Sequence, residues 1–146
     1  MNSISYMFLC KMGVMKPKPF APQKFRKRIF SQLWMLALQF VLGMMLNLLN
    51  GNLAGYKHTV YVIVLILHIL NAIGLVEGGF FVALKEWSKL SWWAAATLSL
   101  TFCAGVLFVI TKQDTWSFIM ACGFLLSTWL NGLLYIRADR QLHINN

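Results

Sequence analysis

The sequence predicts an all-α integral membrane protein: four transmembrane helices in an antiparallel up-down bundle, with both termini on the cytoplasmic side. Composition comes first. Hydrophobic residues make up 59% of the 146 and charged residues only 12%, about half the charged share of an ordinary soluble domain. A soluble chain this short exposes too much of its area to hide so much apolar surface. Patterning comes second. Four apolar runs, at 29–49, 59–84, 91–111 and 117–136, each approach the roughly 20 residues a helix needs to cross a bilayer. Third, Lys and Arg are shared unevenly between the connecting segments, which is what sets orientation.

The leader, 1–28, is basic. It holds seven of the thirteen Lys and Arg residues, from Lys11 to Arg28, in a chain of net charge +9. Basic flanks beside a span point to a cytoplasmic location and to contact with anionic lipid head groups, so nucleic acid is not expected as a partner. The apolar patch at 6–10, YMFLC, is too short for a signal-peptide core, and no small-residue cleavage site follows. The stretch MKPKPFAPQKFRKR reads as a natural basic start. Translation is therefore expected to begin at Met15, with 1–14 not translated.

In the first span Gln39, Gly43 and Asn47 recur every four residues, and Gln32 extends the stripe. The third repeats the spacing with Thr97, Thr101 and Gly105, and the fourth with Gly123, Ser127 and Asn131. Small and amide side chains at this spacing let helix backbones approach and bond across in lipid. Gln39, Asn47, His68, Asn71, Ser127 and Asn131 are the expected polar interior, and Gly43, Thr97, Thr101, Gly105 and Gly123 the expected packing positions. Gly74-x-x-x-Gly78 adds a motif that joins helices, more readily a neighbour within the chain than a second protomer.

The second span carries His68, Asn71 and Glu77. Unrolled at 100° per residue, Asn71 lies about 60° from His68 and Glu77 about 180° from it. Val62, Leu65, Ile66, Ile69, Ala72, Ile73, Val76 and Phe80 form an arc without polar groups, the expected lipid face. His68 and Glu77 are also about 13 Å apart along the axis, so they cannot pair directly.

Connections NGNLAGYKH, KEWSKL and KQDTW are short and hold turn residues and charges. Links this short make neighbouring helices antiparallel. The leader's seven basic residues, two in the second connection (Lys85, Lys89) and two in the tail at 137–146 (Arg137, Arg140) fall on one side. Lys57 and Lys112 stand alone on the other. Trp34, Tyr56, Trp87, Trp92, Trp93, Trp116 and Tyr135 lie near span ends, as interfacial anchors do.

Chemistry is sparse. The three cysteines, Cys10, Cys103 and Cys122, form no CxxC or disulfide framework. The four acids, Glu77, Glu86, Asp114 and Asp139, are scattered over different segments, and no catalytic or metal-binding motif occurs. No enzyme and no metal site are expected. An ionisable residue at mid-membrane is a site candidate by default. His68 has two readings: a ligand or proton relay, with haem b or a quinone as the cofactor, or a neutral imidazole bonded to Gln39 or a backbone carbonyl. Haem held by two histidines would need a dimer supplying His68 twice, or a second ligand that is not histidine. Glu77 likewise reads as a cation or proton site, or as a carboxyl reaching Lys85 or Asn131.

The stretches LWMLALQFVLGMMLNLL, LHILNAIGLV and SFIMACGFLLSTWLNGLLY resemble small four-span prokaryotic inner-membrane proteins of unassigned function. In those, an LQ-x-x-LGM-x-x-NL first span precedes a histidine in the second. The resemblance covers about residues 29–136. It implies Gln39, Gly43, Asn47 and His68 as shared polar positions, and no known activity.

The leading expectation is a non-catalytic multi-pass protein of the cytoplasmic (inner) membrane, a structural or accessory component of a larger assembly or homo-oligomer. The alternatives are a small oligomeric proton- or cation-coupled transporter using Glu77 or His68, and a redox subunit centred on His68.

Overall fold

The structure, a computed structural model, describes residues 22–49, 55–86 and 88–144. The leader through residue 21, with Cys10 and Met15, most of the first connection, and the anchor Trp87 lie outside the described residues. The described residues form four α-helices and no strand: α1 (Pro22–Leu49), α2 (Tyr56–Glu86), α3 (Lys89–Thr111) and α4 (Asp114–Ile144). Each is long and apolar enough to cross a membrane, which makes this the fold of a multi-pass membrane protein.

Two helices are longer than their apolar runs. α1 begins at Pro22, so the basic segment QKFRKR at the end of the expected leader is its first turns. Proline suits a first helical turn, where its missing N–H costs nothing. Lys, Arg and Gln are good helix formers, and Phe25 and Ile29 bury against α4. α4 likewise runs on through the expected tail to Ile144, because Ala138 is fully buried in the same cluster. Between α2 and α3 the stop is local. Ser88 caps α3, its hydroxyl accepting from Ser91 N–H at 3.2 Å while Ser91 Oγ accepts from Ser88 N–H at 3.3 Å. α3 ends where Lys112 turns left-handed (φ 55°), its N–H donating to the Phe108 carbonyl at 2.8 Å.

The helices form a ring: α1 packs beside α2 and α4, α3 beside α2 and α4, and the backbones of the diagonal pairs stay apart. Going down α1 from Gly43 to Met35 to Gln32, the facing residues climb α2 from His68 to Gly74 to Gly78. From Arg26 to Phe30 to Phe40 on α1, the partners descend α4 from Asp139 to Tyr135 to Phe124. One core cluster joins Phe25 and Ile29 to Val82, Ala94, Leu130, Leu134 and Ala138. A second, deeper one joins Leu36, Leu75 and Leu98.

Glycines set the close approaches. A Cβ on Gly79 would lie 2.8 Å from Leu98 Cδ1 and 3.5 Å from the Ala95 backbone. One on Gly74 would lie 2.9 Å from Met35 Cε, and one on Gly78 3.0 Å from Gln32 Nε2. The Gly74–Gly78 motif therefore seats α1 of the same chain. On the α3–α4 side Gly123 packs on Thr101, and Gly105 on Met120 Sδ.

The outward face of α2 differs from the expected arc. Val76 packs on the Leu36–Leu75–Leu98 cluster, and Leu65 and Ala72 are half-buried. Val62, Ile66, Ile69, Ile73 and Phe80 of that arc are exposed as expected, but the exposed face also takes in Leu67, Leu70, Glu77 and Phe81. The outward face is thus turned part-way from the expected arc toward Glu77, because the buried line is the apolar Val64, Leu75, Val82 and Ala83 with Gly79. Asn47 is exposed as well. It keeps to its stripe but lies two residues from the end of α1, beyond both core clusters.

Replacing Gly79 or Gly123 by valine overpacks a helix contact and should cost about 1–3 kcal/mol, read as a lower Tm in mild detergent. Gly132, with nothing within 4 Å of its would-be Cβ, should accept alanine without loss. A lysine at Ile73 should oppose insertion by about 2.5–3.5 kcal/mol, measured with an insertion reporter.

Candidate functional site

The polar residues of α1 and α2 converge at mid-helix. Asn71 Nδ2 donates to the Met35 carbonyl at 2.9 Å and to Gln39 Oε1 at 2.8 Å, and Gln39 Nε2 lies 3.0 Å from His68 Nε2. The polarity of this chain is fixed at one end. A backbone carbonyl can only accept, so the Asn71 atom beside Met35 must be its amide nitrogen. That makes the facing Gln39 atom the oxygen, and Gln39 then presents its own nitrogen to the ring. His68 therefore accepts at Nε2 and, as a neutral imidazole, carries its proton on Nδ1. A second proton at Nε2 would set two donors face to face. His68 Nδ1 is buried, without a hydrogen-bond partner among the described residues. Gly43 lets the ring lie close, with His68 Cε1 3.5 Å from its would-be Cβ.

The α4 stripe is the most deeply buried polar feature: Ser127 and Asn131 are both 0% exposed. Asn131 Nδ2 donates to the Ser127 carbonyl at 2.8 Å, within its own helix. Ser127 Oγ and Asn131 Oδ1 have no partner among the described residues. The α3 hydroxyls also bond locally, Thr97 to the Ala94 carbonyl at 2.9 Å and Thr101 to the Thr97 carbonyl at 2.7 Å. Small size, more than cross-helix bonding, is what these positions supply.

Glu77 stands apart from all of these. It is exposed on the outer surface, beside Arg28 and Gln32 of α1, on the side of α2 away from His68. It reaches neither Asn131, which is enclosed, nor Lys85, whose Nζ sits 5.6 Å over the Phe81 ring. Two other acids hold the ion pairs that join helices: Asp139 to Arg26 at 3.1 Å and Glu86 to Arg137 at 3.8 Å. Cys103 and Cys122 are free and exposed. Among the described residues no three His, Cys, Asp or Glu side chains gather where they could hold a metal ion.

Two residues gain weight that sequence reading gave them only in part. Gln32, read as a mere extension of a stripe, is 5% exposed, and both its amide atoms lack partners among the described residues. Arg28, counted only as leader charge, lies 4.4 Å over Phe81. Its signal was available: it stands four residues before Gln32, on the same side of α1.

No known protein family, curated protein or solved structure matches the chain.

A double-mutant cycle on Gln39→Ala and His68→Ala should give a coupling of about 0.6 kcal/mol, the average for polar contacts between membrane helices, and no more than about 1.7. The same cycle on His68 and Glu77 should give none. Nitrogen NMR of labelled protein should find the His68 proton on Nδ1.

Proposed function

We propose that this chain is a non-catalytic protein of the cytoplasmic (inner) membrane, an antiparallel up-down bundle with both termini inside. In this reading it serves as a structural or accessory component of a larger membrane assembly. The observation that carries the reading is what the polar interior does: Met35, Asn71, Gln39 and His68 hydrogen-bond α2 to α1. These groups fasten helices together and leave no nucleophile with a base beside it.

Facing pairs that run in opposite directions along α1 and α2, and along α1 and α4, support the antiparallel arrangement. Charge supports the orientation. Arg26, Arg28, Lys85, Lys89, Arg137 and Arg140 share one end of the helices, against Lys57 and Lys112 at the other. Redox chemistry is disfavoured because His68 Nε2, the nitrogen a haem iron usually takes, already faces Gln39. Transport through one chain is disfavoured because His68 and Glu77 lie on opposite sides of α2.

Reconstituted protein should pass no more protons down a pH gradient than empty liposomes, and His68→Gln and Glu77→Gln should both keep the wild-type fold. Proton flux abolished by Glu77→Gln would replace this reading with a transporter. In native gels of gently solubilised membranes the chain should migrate in a species larger than its own purified form. Cysteines placed at either terminus should resist an impermeant thiol reagent added to intact cells.

A further inference from the structure

Between α1 and α2, toward the basic end, an open groove of about 320 Å³ faces outward, lined by Arg28, Ser31, Gln32, Glu77 and Phe81 among others. Its polar residues come in two levels. Arg28 and Phe81 meet at the outer level, guanidinium over ring at 4.4 Å. One helical turn deeper, about 6 Å, stand Gln32 and Glu77. Gln32 faces Gly78, so Glu77, the next residue of α2, is at nearly the same height. Beyond these the lining is Met35 and Gly74.

The groups of this groove are not satisfied by one another. Gln32 is 95% buried by its 5% exposure, yet neither its Nε2 nor its Oε1 has a partner among the described residues. Glu77 makes no ion pair or hydrogen bond among the described residues, and Arg28 is held only by an aromatic face. The exposed carboxyl and guanidinium are thus both open to groups that a ligand supplies.

We infer that this groove binds a single-chain phospholipid of the adjoining leaflet. The order of the groups picks the class. Arg28, at head-group height, takes the phosphate, as guanidinium takes oxyanions. A turn deeper, the exposed Glu77 carboxyl accepts from a free glycerol hydroxyl. The acyl chain lies outward along Met35 and Gly74. An aminophospholipid fits the order poorly, because its ammonium would have to reach past the phosphate toward the deeper Glu77. A two-chain lipid offers no donor at the Glu77 level. The inference rests on helices set in lipid with the basic end at the head groups, and not on the accessory role.

The test is binding of lysophosphatidylglycerol to the full chain in mild detergent, by native mass spectrometry and by titrated thermal shift. One lipid should bind per chain, and its 2-deoxy analogue should bind several-fold more weakly. Arg28→Gln should weaken binding by about tenfold or more, as loss of a charged hydrogen bond does. Glu77→Gln should erase the preference over the 2-deoxy analogue, and Lys112→Gln, at the opposite end, should change nothing. Equal binding of diacyl phosphatidylglycerol or of the 2-deoxy analogue would overturn the assignment. So would displacement by inorganic phosphate alone, or no binding. The lipid comparison uses wild-type protein only, so it stands even where a variant fails to fold. Helical circular dichroism of the wild type checks the bundle separately.

Discussion

Lipid is as apolar as leucine, so no hydrophobic force drives one of these helices onto the next, and close packing and internal hydrogen bonds must do it. At the α1–α2 contact both converge on Met35. Its carbonyl takes the Asn71 amide, and its side-chain methyl rests on Gly74. Sliding α2 by one residue would break both at once, and Gln39 and His68 with them. Because the terminal acceptor is backbone, no rotation of an amide can reverse the chain of bonds. One carbonyl thus fixes the height of two helices and the tautomer of a histidine three hydrogen bonds away.

The other contacts work by different means. α3 and α4 meet through shape, Thr101 on Gly123 and Met120 on Gly105, with each hydroxyl returned to its own helix. At the basic end, charge closes the ring. Arg26–Asp139 ties α1 to α4, but both side chains are over a third exposed, and pairs of that kind contribute little. Arg137–Glu86 ties α4 to α2, and there the Glu86 side chain is only 6% exposed. Losing the arginine would strand a buried carboxylate, which is far costlier than losing a surface pair. The described core clusters also lie in this half. The opposite end, with Leu48, Ile110 and Phe118 exposed, is held by much less.

This division explains what could be read from the sequence. Four spanning helices follow from run length and composition alone, because lipid demands helices and the runs are long enough. The stripes at four-residue spacing located the buried Ser127 and Asn131 and the half-buried Gly123 on one inward line, and the pairing of His68 with Gln39 was one of two readings given for it. Rotation was another matter. A helix unrolled by polarity assumes that polar means inward, yet α2 buries Val64, Leu75 and Val82 between two neighbours and turns Glu77 out. Helix ends escaped for a similar reason. Hydropathy stops at Arg28 and Ile136, whereas α1 and α4 extend as far as Phe25 and Ala138 have each other to pack on.

The three polar residues of the second span are therefore sorted by angle and height. Asn71 and His68 face α1 near the middle of the helices, where an unpaired polar group is most costly, and both are bonded to it. Glu77 lies two turns nearer the basic end and on the other side, where water and head groups come within reach of a long side chain. Were Glu77 only a structural acid, Lys85 two turns on or Arg28 across the groove would be its natural partner. Both cations instead lie against the ring of Phe81, one turn above it. That leaves a carboxyl and a guanidinium exposed in one groove, neither paired with the other. Helix association alone calls for no such arrangement. A ligand bearing an anion and, one turn deeper, a hydroxyl does.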